Sequence, residues 1–231
     1  MAEEEKQEQY VVLARKYRPQ NFEDLLGQDA LVQTLTNAIN NNRLHHAYIL
    51  TGIRGVGKTT TARLIAKALN CTGSDGNGGP TTHPCGICEN CKSIAAGRNI
   101  DVLELDAASR TGVDDIRDIL DGVRYKPTNC RYKIYIIDEV HMLSKSAFNA
   151  LLKTLEEPPA HVKFIFATTE IRKVPVTVLS RCQRFDLQRL SIEDLLKLFN
   201  KIIAAEDLKA DDEALHLCLI HISEPTRPIS I

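Results

Sequence analysis

The sequence predicts an α/β fold: a parallel β-sheet with helices on both faces, followed by the start of an all-helical part. Three observations carry this expectation. Residues 47–50, 134–137 and 164–167 are short, unbroken apolar runs, the pattern of strands buried on both faces. Between them, apolar residues recur every three or four positions, so strand and helix alternate as a parallel sheet requires. Beyond residue 187 only helical spacing remains, with Ile192, Leu195, Leu196, Phe199, Ile202 and Ile203 on one face.

Each element has its own local reason. Residues 1–9 are polar and acidic and are expected to form a disordered tail. Residues 11–20 are expected to form an extended or irregular arm, because Pro19 disfavours helix at the residue before it. Asp29 is placed to cap a helix whose apolar face is Leu31, Leu35, Ala38 and Ile39. A strand, a glycine-rich loop and a helix bearing Leu64, Ile65, Ala68 and Leu69 follow. Then comes a polar stretch ending in a cysteine-rich loop. Residues 101–106 alternate like a strand with its acidic side chains opposite the apolar ones. Val113, Ile116, Ile119, Leu120 and Val123 mark the next helix. The run 133–139 ends in two carboxylates. Ser144 or Ser146 can cap the helix of Phe148, Leu151, Leu152 and Leu155, which stops at Pro158-Pro159. A buried strand at 163–169, a helix or turn at 174–181 and a short strand at 184–187 complete the sheet. Asp211 or Asp212 can cap a further helix. The expected division is an α/β domain over 10–187 with a cysteine insert at 71–91, and a helical part over 188–216.

A formal net charge of −1 over 231 residues excludes nucleic-acid binding by a global basic field, so any such binding must be local. No apolar run approaches the roughly 18 residues that span a bilayer. A soluble chain, cytoplasmic and without a membrane partner, is expected, and there the seven cysteines point to metal before disulfides.

Gly52, Gly57, Lys58 and Thr59 fit G-x-x-x-x-G-K-[ST], the phosphate-binding P-loop. The glycines let successive N–H groups face inward, so Gly52, Gly55, Val56, Gly57, Lys58, Thr59 and Thr60 are the candidate cradle for ATP. Lys58 supplies positive charge to the β- and γ-phosphates, and the Thr59 hydroxyl can ligate Mg²⁺. An ordinary glycine-rich turn has no need of Lys and Thr in succession. Asp138 and Glu139 end a buried strand, and ligands gather at the carboxyl ends of such strands. Asp138 would hold Mg²⁺ through water and Glu139 would polarise the attacking water, with Thr169 able to orient it.

Cys71, Cys85, Cys88 and Cys91 give C-x13-C-x2-C-x2-C, a set suited to one structural Zn²⁺. His83 competes, but four thiolates leave it no place. A redox CxxC lacks its usual βαβ setting. Cys130, Cys182 and Cys218 read as ordinary packed thiols. Arg181, in Ser180-Arg181-Cys182, reads from the residues alone as a surface arginine.

These motifs together resemble the AAA+ clamp-loader ATPases. The match runs through the arm Leu13-Ala14-Arg15-Lys16-Tyr17-Arg18-Pro19, the P-loop, the cysteine insert and Leu105-Asp106-Ala107-Ala108-Ser109-Arg110. It continues through Ile137-Asp138-Glu139-Val140-His141-Met142, the helix ending Glu156-Glu157-Pro158-Pro159, and Ser180-Arg181-Cys182. The resemblance implies a RecA-like domain with a helical lid, and ATP hydrolysis that opens a ring-shaped clamp and closes it on primer–template DNA. It implies that Thr169 is the sensor residue and that Arg181 reaches a neighbouring subunit's phosphate. Leu13, Ala14 and Arg18 would border the adenine and ribose, and Arg110, Arg117 and Lys173 would face DNA. The partners implied are the other subunits of a hetero-pentameric loader, the sliding clamp and a replicative polymerase holoenzyme. Relatives are named as polymerase subunits, yet no carboxylate pair of a nucleotidyl transferase is visible. A non-hydrolysing scaffold subunit would have a decayed P-loop, and a branch-migration motor would lack the cysteine insert. Residues 217–231 depart from the family pattern, which continues to a Gly-x-x-Arg-Asp helix, and are expected to be foreign to it.

Overall fold

The computed structural model describes residues 12–109, 112–211 and 215. Its centre is a five-stranded sheet of β1 (Ala47–Thr51), β2 (Val102–Asp106), β3 (Lys133–Asp138), β4 (Val162–Thr168) and β5 (Gln183–Asp186), in the order β2-β3-β4-β1-β5. Every neighbouring pair is parallel. The described helices are α1 (Leu13–Lys16), α2 (Asp29–Asn40), α3 (Lys58–Asn70), α4 (Glu89–Ala95), α5 (Val113–Val123), α6 (Lys145–Glu156), α7 (Val176–Leu179) and α8 (Ile192–Ala205).

The unbroken apolar runs have a simple cause: successive side chains of a strand point to opposite faces, and both faces here are covered. Tyr48, Leu50, Ile134, Ile136 and Ile165 pack with Leu31 and Leu35 of α2 and Leu64, Ile65 and Leu69 of α3. Their neighbours Ala47, Ile49, Tyr135, Ile137, Phe164 and Phe166 pack on the other face with Ile116 of α5, Phe148, Leu151 and Leu155 of α6, and Val178 of α7. Each fully buried large side chain contributes about 2 kcal/mol of hydrophobic stabilisation.

Three local expectations are refined. Gln28, not Asp29, occupies the N-cap position of α2 and makes no side-chain cap bond. Its amide instead donates to Gln188 O (2.8 Å) and accepts from Gln188 N (3.3 Å), tying the arm to the exit of β5. Asp29 lies in the first turn, where its charge complements the helix dipole. Ser144 is the cap of α6, accepting from Ala147 N at 3.2 Å. The alternation over 101–106 does not sort buried from exposed: β2 is an edge strand whose Leu103 is exposed, whereas Asp101 is only 2% exposed. The helical part begins at α8, capped by Ser191, whose Oγ accepts from Asp194 N at 3.1 Å. The further helix and the 217–231 tail lie outside the described residues, apart from Leu215. None of the described helices is long and apolar enough to cross a membrane.

Candidate nucleotide site and cysteine cluster

Strand register brings Thr51, Asp106, Asp138, Thr168 and Asp186 side by side at the carboxyl ends of the sheet. The P-loop leaves β1 between its neighbours β4 and β5 and turns into α3 at Lys58. Gly57, at φ 101°, forms the left-handed turn into the helix, a conformation that disfavours any side chain. Gly52 is glycine for another reason: a Cβ there would meet Val56 Cγ1 at 2.9 Å and Leu187 O at 3.0 Å.

Lys58 is 6% exposed, and its Nζ donates to Gly52 O (3.1 Å) and Ile53 O (3.0 Å), inside the loop whose phosphate it would serve. Thr59 Oγ1 donates to Asp138 Oδ2 at 2.6 Å, and Asp138 Oδ1 accepts from Glu139 N at 2.9 Å. Glu139 has left-handed backbone, φ 46° and ψ 44°. For a non-glycine residue this stores roughly 1–3 kcal/mol, the kind of strain found at functional sites. Its Oε2 accepts from Thr169 N (3.3 Å) and Thr169 Oγ1 (3.0 Å). The structure thus brings Lys58, Thr59, Asp138, Glu139 and Thr169 into one cluster.

Beside the P-loop opens a 690 Å³ cavity, lined by Leu13 and Arg18 of the arm, Val56 and Thr60 of the loop, and Phe199 and Ile202 of α8 among others. Its lining is mostly apolar, as a base pocket requires. Ala14 lies on α1, where its backbone alone is described. Arm and α8 are clasped together: Tyr17 OH donates to Glu206 Oε1 at 2.5 Å, Lys16 Nζ pairs with the same oxygen, and Lys201 pairs with Asp24 at 2.9 Å. The bond to Glu206 pushes the Tyr17 phenol up from its ordinary value.

Arg181 stands apart from this cluster. Its Nη1 donates to Thr177 O at 2.5 Å, and its Nη2 pairs with Glu156 Oε1 at 2.7 Å, at the end of α6. Arg117 pairs with Asp114 and Lys173 with Glu170, both at 2.9 Å on the surface. Arg110 lies outside the described residues.

The sulfurs of Cys71, Cys85, Cys88 and Cys91 lie within 4.8 Å of one another, and Cys71 Sγ is 3.6 Å from Cys85 Sγ. Four thiolates at about 2.3 Å from a tetrahedral zinc are about 3.8 Å apart, so the donor set fits that ion. Backbone N–H groups of Gly73, Cys85, Cys88 and Cys91 point at these sulfurs at 3.4 Å. Burial would raise the Cys88 thiol, but hydrogen bonds from Thr72 and Cys91 outweigh it and bring it down to about 6. His83 is exposed on Glu23, away from the sulfurs. Cys130 and Cys182 are half-buried thiols that burial pushes up to about 11 and about 12. Cys218 is outside the described residues. The second CxxC is not in a loop throughout: Cys88 caps α4 and Cys91 sits in its first turn.

The residues that fasten this module are ones the sequence reading missed. Asn70 accepts from Tyr132 N (2.8 Å) and donates to Tyr132 O (2.9 Å), while Asn90 donates to Asn70 O (3.0 Å). Arg131 donates to Leu69 O at 2.7 Å and Gly78 O at 2.5 Å, capping the carbonyl end of α3. Asp101 accepts from the N–H groups of Thr128, Asn129 and Cys130 at 2.8–2.9 Å. Burial opposes its charge, but those three donors hold its carboxyl below the ordinary value. Replacing Asp101 by Ala is expected to destabilise the fold by about 3 kcal/mol at pH 7, read by chemical denaturation. Because the folded-state pKa is depressed, this contribution is complete above the unfolded value of about 3.9. The gap between wild type and variant should therefore narrow as pH falls below that value.

The family described as "DNA polymerase III, delta subunit" matches residues 27–191. DNA polymerase III subunit tau of Escherichia coli (strain K12) is 53% identical over 208 residues, 90% of this chain and 32% of its own length. DNA polymerase III subunit gamma of Buchnera aphidicola subsp. Acyrthosiphon pisum is 49% identical over 212 residues, 92% of this chain and 57% of its own. The chain therefore spans between about a third and just over half the length of these relatives. Among solved structures, the Thermotoga maritima RuvB Holliday junction branch migration motor superposes with a TM-score of 0.61 at 18% identity, covering 88% of this chain and 59% of that one. A DNA polymerase III gamma subunit-related protein from the same organism gives 0.51 at 21% identity, covering 82% and 53%. At such identities the likeness shows the fold alone, a parallel α/β sheet flanked by helices. With residues 27–191 of its 231 taken in by one family description, the chain belongs to the DNA polymerase III delta-subunit family.

Proposed function

We propose that this chain is an ATP-hydrolysing motor subunit of a DNA polymerase III clamp loader. The observation that carries the reading is the hydrogen-bonded series Thr59–Asp138–Glu139–Thr169, which starts at the residue after the P-loop lysine. In this reading the apolar cavity takes the adenine and ribose, and the N–H groups of residues 52–60 cradle the phosphates. Lys58 exchanges its two backbone carbonyl partners for the β- and γ-phosphates. Thr59 and Asp138 would hold Mg²⁺, Asp138 through water, and the ion would supply positive charge to neutralise the phosphoryl group. Glu139 accepts the proton of the attacking water, and Thr169, already bonded to its carboxylate, fixes its direction. The four thiolates would hold a structural Zn²⁺, leaving no open position for catalysis. An intact lysine and carboxylate pair favours a motor over a scaffold subunit.

Arg181 has its partners on α6 and α7 and none among the P-loop cluster, which suits a group that serves a neighbouring subunit. The assembly proposed is a hetero-pentameric loader that places the sliding clamp on primer–template DNA for the polymerase III holoenzyme. Arg110, Arg117 and Lys173 are assigned to DNA. In a loader reconstituted with clamp and primed DNA, Arg181→Ala is expected to lower turnover by about 10²-fold. ATP affinity at the variant's own site should stay unchanged. A binding defect confined to that site would overturn the trans assignment, and unchanged turnover would overturn the role itself.

A further inference from the structure

The cysteine module carries a surface that the nucleotide chemistry does not use. Its helix α4 is pinned on one side only. Cys91 and Ile94 are buried there, Ile94 in the same core cluster as Leu69, and Asn90 donates to Asn70 O at 3.0 Å. The other side carries Glu89, Lys92, Ser93 and Ala96, spaced i, i+3, i+4 and i+7 and so in one row along the helix. With Ile87 and Arg98 these four line a cavity of about 440 Å³. Ser93 and Ala96 are small, and the hollow lies over them between the longer Ile87, Lys92 and Arg98.

The walls of this hollow are fixed in advance. Ile87 is at the apex of the turn from Cys85 to Cys88, which the Cys88 N–H closes on Cys85 Sγ at 3.4 Å, yet it is 60% exposed. An isoleucine on such a turn loses little backbone freedom when a partner covers it. Ser93 Oγ donates to Asn90 O at 3.2 Å and accepts from Asn99 Nδ2 at 2.8 Å. The residue after Asn99 is Ile100, 65% exposed. Lys92 and Arg98 make no ion pair among the described residues, whereas Arg63 of α3 is forked onto Glu104 at 2.7 and 2.8 Å.

We propose that this face of the cysteine module docks an acidic peptide segment of another protein, one bulky apolar side chain entering the hollow against Ile87 and Ala96 while flanking carboxylates pair with Lys92 and Arg98. The occupant follows from charge and shape. Two uncompensated cations against the single carboxylate of Glu89 leave the rim positive, which selects acidic flanks. The exposed isoleucine supplies apolar area that only an apolar side chain can cover. A nucleic-acid strand would meet Glu89, and no aromatic ring among the described lining residues offers a base a stacking platform. The docking is independent of the ATPase reading, since none of the six lining residues belongs to the nucleotide cluster.

The probe is a fluorescein-labelled peptide of about ten residues, one Phe at its centre among Asp and Glu, titrated into the full chain and read by anisotropy. Saturable binding that weakens with added salt is expected. Ile87→Ser, at an exposed position that supplies no sulfur, should weaken it about tenfold, and so should replacing the peptide's Phe by Ala. The Ala peptide should lose nothing further on Ile87→Ser, because the two changes remove one contact. The double variant Lys92→Glu, Arg98→Glu should weaken binding about tenfold or more with an unaltered melting curve, and it carries the test if Ile87→Ser fails to fold. No saturable binding, equal affinity for the Phe and Ala peptides, or wild-type affinity in the charge variant would overturn the proposal. A single-stranded oligonucleotide that displaces the peptide and binds more tightly would give the face to nucleic acid. Tighter peptide binding after removal of residues 1–9 would give it to the chain's own acidic tail. Either result overturns the docking proposed.

Discussion

Replacing Glu139 by Gln is expected to lower ATP hydrolysis by about 10³-fold while leaving nucleotide binding within about twofold of wild type. The isosteric amide keeps the contact with Thr169, since its oxygen can still accept from that residue's N–H and hydroxyl, but it cannot take a proton from water. Phosphate contacts come from the loop and Lys58, which the substitution does not touch. Turnover in a reconstituted loader, paired with a fluorescent-nucleotide titration, separates the two terms. Equal rates for wild type and variant would sink the motor reading and leave a scaffold subunit. Lys58→Ala should behave differently, with nucleotide binding itself lost.

The second large effect is expected at the cysteine cluster. Elemental analysis should find one zinc per chain, and Cys91→Ser should remove it. Cys91 is 1% exposed in the first turn of α4, so the variant leaves three of the four thiolates that the described residues bring together. Structural zinc contributes apparent binding energies of about 10 kcal/mol or more in small zinc domains, energy that serves to fold the surrounding chain. The insert should therefore become susceptible to proteolysis between residues 72 and 91, with thermal unfolding several degrees lower. A chelator should reproduce both changes in wild type. Full zinc content with an unaltered melting curve would reject the metal assignment.

Much of this was legible because it is local. A strand buried on both faces writes itself as four or five apolar residues in a row, and Ala47–Leu50 and Phe164–Ala167 are such runs. The P-loop and the cysteine spacing are legible for the same reason: one loop, or one short insert, carries most of each site. What was not legible depends on partners far along the chain. Asp101 looks like any acidic residue before a strand, and only the turn at 128–130 makes it a buried acceptor of three N–H groups. Asn70 and Arg131 are 61 residues apart and meet at one helix end. Asp29 was read as a cap from its type, but Gln28 takes that position because the β5 exit offers its amide two partners.

The P-loop helix has one more consequence. At 13 residues, α3 is a rod about 20 Å long. Its first turn belongs to the phosphate cradle, and its last turn is gripped by Asn70, Cys71 and Arg131. A rod held at its far end cannot slide or rotate when its near end is loaded. The phosphate cradle and the cysteine module are therefore the two ends of one helix.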